Sequence, residues 1–126
     1  MNLGQLADAL TKAAGIFYKD LKNKFLPKFK GKTITEQSVK EFLKPFLDLA
    51  SLTPDVRISI EKKLETYAPT ALQSIERNRH MNEYSTGDTF DQISAEAIVV
   101  DFINNACLPL DLALYTRDLK ELAEAA

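Results

Sequence analysis

Seven lysines are concentrated between positions 12 and 32, and four aromatic residues lie among them. The lysines are Lys12, Lys19, Lys22, Lys24, Lys28, Lys30 and Lys32. Asp20 is the one acid in this stretch, so seven positive charges against one negative leave a net charge of six. Ammonium groups neutralise phosphates and release counterions, and aromatic rings can stack on bases. The stretch therefore predicts a site that binds the backbone of RNA or DNA.

A purely structural role explains part of the same stretch. Helical periodicity favours core positions for the aromatic residues Phe17, Phe25 and Phe29. Lys12 and Lys19 lie about opposite the apolar face and would then form a solvated helix surface. Six net positive charges nevertheless exceed what solubility requires. Both interpretations of the lysines therefore stay open at the level of sequence.

The end of the chain carries the opposite charge. Residues 83–126 contain nine acids and two bases, Arg117 and Lys120, so the net charge of −2 hides a basic front and an acidic back. A basic surface can also dock an acidic protein. The acidic end of another copy is one such partner, and contacts of this kind would stack copies head to tail.

Glu76, His80 and Glu83 follow a helical spacing and could in principle meet at one metal ion. Carboxylate-bridged sites in helical bundles need two Glu-x-x-His elements and further glutamates, whereas this sequence has a single histidine. Arg77 and Arg79 beside it would repel a cation. We therefore predict a surface histidine and no metal site.

No arrangement of nucleophile and base is visible in the sequence. Cys107 lies on an apolar stripe without an activating histidine, which favours a buried structural thiol. Asp88 and Asp91 lack the alternating oxygens of a calcium loop. The four glycines are isolated, so there is no glycine-rich phosphate loop. The sequence therefore predicts a protein that is not an enzyme and has no cofactor.

The lysines must be positioned by helices. Apolar residues from Leu3 to Leu21 follow the spacing of one buried helix face, and Pro27 with Gly31 should end this helix. A second helix is expected from Thr33, where Thr33-Ile34-Thr35-Glu36 matches a capping box. Pro45 should kink this helix or split it after Lys44.

Proline signals also divide the rest of the chain. Thr53-Pro54-Asp55 should begin a third helix, and Pro69 should end it or start a fourth that reaches about Tyr84. A loop is predicted at 85–88 and a central helix from about Ser94 to Cys107, with a short strand at 99–100 as an alternative. Pro109 restarts a last helix, in which Leu112, Tyr115, Leu119 and Leu122 point inward. The chain is therefore predicted to be all-α, a single-domain bundle of five to six helices spanning 1–126.

Two further lysines could extend the basic surface. Lys40 and Lys44 are one turn apart on the second helix and lie off its apolar stripe. The complete set of predicted nucleic-acid-binding residues is Lys12, Lys19, Lys22, Lys24, Lys28, Lys30, Lys32, Lys40 and Lys44.

The sequence predicts a cytoplasmic protein without a membrane segment. Its N-terminus has no basic region and carries Asp8 where a signal peptide would be apolar. Apolar runs such as 97–100 are far shorter than the ~20 residues that span a bilayer. The single cysteine cannot form an internal disulfide, which fits a reducing compartment.

The segment FYKDLKNKFLPKFKGKTITEQSVKEFLKPFLDLA, residues 17–50, resembles the small helical subunits of CRISPR effector complexes. In particular, it resembles the Cascade-type subunits of type I-D systems, which are translated internally from the large-subunit gene. The resemblance implies a bundle of five or six helices without catalysis. Several copies would stack along the complex and contact the guide–target duplex or the displaced strand through basic residues. The alternative is a helical protein–protein adaptor or accessory protein that docks an acidic partner with its basic face.

Overall fold

The computed structural model describes residues 2–82, 89–108 and 116–125, and these ranges form an all-α bundle. The helices are α1 Leu3–Asp20, α2 Glu36–Leu49, α3 Pro54–Asn82, α4 Gln92–Phe102 and α5 Thr116–Ala125. No strand occurs in these ranges, where 30–33 and 89–90 meet only through isolated bridges. The prediction of an all-α single-domain bundle with five to six helices is confirmed, and the strand alternative at 99–100 is not adopted.

Helix α1 begins with a capping box and ends in a change of helical pitch. The side chain of Asn2 accepts a hydrogen bond from the Gln5 backbone (2.8 Å), and the side chain of Gln5 accepts one from the Asn2 backbone (2.9 Å). After Asp20 the chain forms a π-turn at Leu21–Phe25 and a 3-10 turn at Leu26–Lys28. Pro27 lies in this last turn, so the helix ends where the proline and glycine signals indicate.

Helix α2 begins two residues later than predicted. Its N-cap is Thr35, whose hydroxyl accepts from the Ser38 backbone (3.1 Å) while the Ser38 hydroxyl accepts from the Thr35 backbone (2.7 Å). The predicted capping box from Thr33 to Glu36 is therefore wrong. The reason is tertiary, because the bridge between Thr33 and Thr89 and the packing of Ile34 into the core hold these two residues outside helix α2.

The two internal prolines do not interrupt their helices. Pro45 lies inside the continuous helix α2, and Pro69 lies inside α3, so the predicted split at Lys44 and the predicted helix boundary at Pro69 are wrong. Proline removes one backbone donor, which costs about 3 kcal/mol in a helix interior. Buried residues on both sides of each proline outweigh this cost. They are Phe42, Phe46 and Leu47 around Pro45, and Tyr67, Ala68 and Ala71 around Pro69.

Buried residues from α1, α2, α3 and α4 form one hydrophobic cluster. Phe17 is central, with ring centroids 5.3 Å from Phe42 and 6.0 Å from Phe46. Phe102 of α4 extends the cluster to α3, where its ring lies 5.3 Å from that of Tyr67. As predicted, α4 is apolar on most of its surface, and it continues into a second π-turn at Ile103–Cys107.

Helix α5 packs against α1. Gly15 makes this possible, because a Cβ at this position would lie 2.6 Å from the carbonyl oxygen of Leu122. Leu122 is half-buried, in agreement with its predicted inward position. The predicted loop at 85–88 and the predicted helix start at Pro109, with Leu112 and Tyr115, lie outside the described residues, as does the side chain of Leu119. None of the described helices is both long and apolar enough to cross a membrane.

Candidate nucleic-acid interface

The lysine segment, defined as residues 12–32, follows three consecutive backbone conformations. Helix α1 carries Lys12 and Lys19, and the first π-turn carries Lys22 and Lys24. The 3-10 turn carries Lys28, and the chain that follows carries Lys30 and Lys32. All seven lysines are exposed. The change of pitch after Asp20 therefore spreads their ammonium groups around the end of α1.

The aromatic residues of the segment face the opposite way. Phe17 and Phe25 are buried and stack on each other, with ring centroids 4.5 Å apart. Phe29 is half-buried, and its ring lies 5.5 Å from Phe42 and 5.3 Å from Phe90. The prediction that these three phenylalanines belong to the core is confirmed. Their rings are not available to stack on bases.

The last part of the segment is held by backbone hydrogen bonds to Phe90. The Gly31 amide donates to the Phe90 carbonyl (3.0 Å), and the Phe90 amide donates to the Lys32 carbonyl (2.9 Å). Phe90 itself is buried, so it anchors the turn to the core. Gly31 has a φ of 82°, which only glycine adopts without strain. Lys30 and Lys32 therefore stand on an ordered turn.

A depression of about 800 Å³ opens beside the first π-turn. It is lined by Lys22, Asn23, Leu26, Pro27, Lys30 and Gln92. The side chain of Gln92 also donates to Glu96 (3.0 Å), which fixes its position at the start of α4. We call this depression the basic depression, because two lysines and two amides line it and, among the residues that the structure describes, no carboxylate does.

Most lysines of the segment form no ion pair with an acid that the structure describes. Lys12 pairs with Asp8 at 3.0 Å, and Lys24 lies 5.5 Å from the centre of the Phe25 ring. No acid in the described ranges lies within 4.0 Å of the ammonium groups of five others, which are Lys19, Lys22, Lys28, Lys30 and Lys32. The positive potential of the segment is therefore not neutralised by these neighbours.

The helix dipole accounts for some of these lysines. Lys19 lies in the last turn of α1, and Lys22 and Lys24 follow in the π-turn. Cations at a helix C-terminus are stabilised by typically about 0.3–1 kcal/mol at low ionic strength. Lys30 and Lys32 lie beyond the last turn and gain nothing from this effect. The part of the segment after Phe29 is thus the part that helix stability explains least.

Lys40 and Lys44 belong to a different environment. Lys40 is half-buried, and its ammonium pairs with Glu65 of α3 at 3.1 Å. Both lysines line a depression of about 460 Å³ together with three glutamates, Glu41, Glu61 and Glu65. The acids outnumber the lysines there, so this groove does not extend the positive surface. Glu65, the partner of Lys40, lies 25 residues away along the chain, and no sequence pattern predicted this pair.

A second depression of about 800 Å³ lies between α3 and the second π-turn. Its lining includes Lys62, Lys63, Thr66, Thr70, Tyr67, Asn105 and Cys107. The Tyr67 hydroxyl donates to the Asp101 carboxylate (2.7 Å), and the Asn105 amide donates to the same carboxylate (2.7 Å). Burial and the negative charge of Asp101 raise the pKa of Tyr67. Sequence reasoning missed this network, because Tyr67 lies 34 residues before Asp101 and only the packing of α3 against α4 brings them together.

Cys107 is a buried, free thiol, as predicted. Burial raises its pKa to about 12, although Lys63 opposes the shift. The thiol is therefore neutral at physiological pH, which removes the thiolate that nucleophilic or metal chemistry needs.

No metal site is seen among the residues that the structure describes, since no three histidine, cysteine, aspartate or glutamate residues there are grouped to hold an ion. The candidate formed by Glu76, His80 and Glu83 lies outside the described side chains.

No protein-family model matches the chain, and no match was found among curated proteins or solved structures. The resemblance to CRISPR small subunits therefore stays a prediction.

Proposed function

We propose that this protein is a non-catalytic subunit of a larger assembly that binds the backbone of nucleic acid through the lysine segment. One observation carries the proposal. Five exposed lysines stand around the end of α1 and on the following turn without a described acid within ion-pair distance. Binding would proceed by neutralising phosphates and releasing their counterions, and would not depend on base sequence.

The assembly that we propose is a CRISPR RNA-guided effector complex, in which this chain serves as the small subunit and stacks with copies of itself. The all-α fold and the lysine segment support this assignment. Glu121 and Glu124 are exposed on α5 and would offer acidic groups to the lysines of a neighbouring copy. Contacts of this type are heterologous, so they can continue along a complex.

The test is a titration of labelled DNA and RNA across a salt series. The test variant replaces Lys22, Lys28, Lys30 and Lys32 with glutamine. The control variant replaces Lys44, Lys62, Lys63 and Lys120 with glutamine, which removes the same charge at exposed positions elsewhere. The slope of log K against log salt is negative, and each lost phosphate contact on a duplex reduces its magnitude by about 0.9. The magnitude of the slope should therefore fall by up to ~3.6 in the test variant. Equal binding by the test and control variants would contradict the proposal.

A second candidate is supported by one exposed apolar residue. Ile16 is 37 % exposed and lies on the α1 face between Lys12 and Lys19. An apolar centre flanked by two cations suits a protein partner with complementary acidic and apolar groups. In this adaptor function, Ile16→Gln would abolish partner capture. In the nucleic-acid function, the same variant would leave DNA and RNA affinity unchanged, because the substitution removes no charge.

A further inference from the structure

We infer that the lysine segment binds double-stranded rather than single-stranded nucleic acid. The inference rests on the proposed function and specifies its ligand. Proteins that hold single strands without sequence preference combine a positive groove with exposed rings on which bases stack. The lysine segment has the positive charge, but its aromatic rings pack in or against the hydrophobic core.

The rings next to the lysines are occupied by the core. Phe17 and Phe25 stack on each other, and Phe29 packs between Phe42 and Phe90. Tyr18 is half-buried against the core, and its hydroxyl interacts with the carboxylate of Glu96 in α4. In residues 2–82, 89–108 and 116–125, every aromatic side chain is buried or half-buried. The segment therefore presents no stacking platform to an unpaired base.

The groups that remain are suited to phosphates. Lys22 and Lys30 line the basic depression with the amides of Asn23 and Gln92, and Lys28 and Lys32 are exposed nearby in the chain. Ammonium and amide donors contact phosphate and sugar oxygens, which fix position without reading bases. Binding would then depend on the density of phosphates that the ligand offers.

A duplex offers the higher density. The dependence of affinity on salt is about −0.9 per neutralised phosphate for duplex DNA and about −0.7 for a single strand. If five lysines make contact, the exponents differ by about one. With equal affinity at 1 M salt, a duplex would bind ~20-fold more tightly at 50 mM salt and ~7-fold more tightly at 150 mM. Stacking, which gives single strands their compensating affinity, is absent here.

The experiment compares a labelled 20-base-pair DNA duplex with an unstructured strand of the same length, at 50 mM and at 150 mM salt, with the unmodified protein. We expect the duplex to bind more tightly at both salt concentrations, with a preference that shrinks as salt rises. Equal or tighter binding of the single strand would overturn the inference and leave the proposed function intact. Failure of both probes to bind at 50 mM salt would overturn both.

A variant that adds a ring provides the second measurement. Ile16→Trp places an aromatic side chain between Lys12 and Lys19 on the exposed face of α1. One stacked base should raise single-strand affinity about fivefold or more, while duplex affinity stays the same. Ile16→Leu is the matched control and should change neither affinity. An unchanged single-strand affinity in a folded Ile16→Trp variant would contradict the argument that a missing ring limits single-strand binding.

Discussion

Two helices of this bundle end in a π-turn, and each turn lines a depression of about 800 Å³, yet the two sites differ in chemistry. The two turns share the same backbone hydrogen-bond pattern. The Leu26 amide donates to the Leu21 carbonyl, and the Leu108 amide donates to the Ile103 carbonyl. π-Turns are frequent at functional sites. Backbone geometry alone therefore does not distinguish these two candidates.

The polar groups near the two turns distinguish them. At the second turn, Tyr67 and Asn105 both donate to Asp101, so the hydrogen-bonding groups satisfy one another. At the first turn, Lys22 and Lys30 have no described acid within ion-pair distance. Lys62 and Lys63 also line the second depression. They lie outside the lysine segment, which carries the six net positive charges. The comparison indicates a structural network at the second turn, and it is consistent with the binding surface that we propose at the first.

Substitution of the buried residue that begins each π-turn should cause the largest loss of stability, and the loss should be equal at the two turns. Leu21 and Ile103 begin the two π-turns, and both are almost completely buried. Replacing either with alanine removes buried methyl groups and leaves a cavity, which costs about 2–5 kcal/mol. Chemical denaturation of Leu21→Ala and Ile103→Ala should therefore show similar losses in the free energy of unfolding. A loss under 1 kcal/mol at only one turn would show that the turns are not anchored alike.

Removal of the tyrosine hydroxyl near each turn should cost more stability at the second turn, where Tyr67 lies, than at the first, where Tyr18 lies. Tyr67→Phe removes a donor from the Asp101 carboxylate in a buried setting, and hydrogen bonds to charged groups contribute about 1.5–3 kcal/mol. Tyr18 is half-buried and its hydroxyl interacts with the Glu96 carboxylate beside the first turn, so Tyr18→Phe should cost less than about 1 kcal/mol. Thermal unfolding of the two variants measures the difference. Equal losses would remove the distinction between a structural network and an exposed surface.

The close contact between α1 and α5 should reverse the usual effect of a glycine substitution. Alanine at a helical glycine normally stabilises by about 1 kcal/mol. At Gly15, however, its Cβ would lie 2.6 Å from the Leu122 carbonyl, and overpacking of this kind costs about 1–3 kcal/mol. Gly4→Ala is the matched control, because its nearest atom would be 3.5 Å away. If Gly15→Ala is as stable as Gly4→Ala in denaturant, then α5 does not pack on α1 as described.

Cys107 should make the second turn sensitive to high pH. Burial raises the pKa of its thiol to about 12 from an ordinary value of 9.0. Above pH 9 the unfolded chain loses the proton and the folded chain keeps it, so stability falls as pH rises. This contribution amounts to about 1 kcal/mol between pH 9 and 10. Cys107→Ala should flatten the measured decline by that amount, and an unchanged decline would place the thiol in solvent.

Periodicity predicted the helices and the inward-facing rings, because burial follows the spacing of one helix face. Leu10, Phe17, Phe42 and Phe102 are buried as their spacing indicates. Local signals failed where tertiary packing decided the outcome. Thr33 and Thr35 both offer a cap hydroxyl, and the burial of Ile34 selects the second.

The candidate site was predictable in its charges and not in their partners. Exposure of the seven lysines in the lysine segment follows from their type and spacing. The pairing of Lys40 with Glu65 depends on how α2 packs against α3, which no local pattern encodes. The two π-turns were also missed, because their i to i+5 hydrogen bonds depend on local packing and are not marked by a particular residue type in this sequence. The groove at Lys40 and the network at Tyr67 could therefore be seen only in the fold.

Backbone strain at Gly31 tests whether the lysine segment depends on its own ordered turn. Gly31 has a φ of 82°, and an added Cβ would meet no atom within 4 Å, so Gly31→Ala introduces backbone strain alone. That strain costs about 1–2 kcal/mol. Ser51, with a φ of 52° after α2, is the converse control, because Ser51→Gly relieves the same kind of strain and should stabilise. If the turn positions Lys30 and Lys32, Gly31→Ala weakens DNA binding and Ser51→Gly leaves it unchanged. If both variants bind DNA equally, the lysines act as flexible charges, and the contrast between an ordered binding turn and a structural turn is lost.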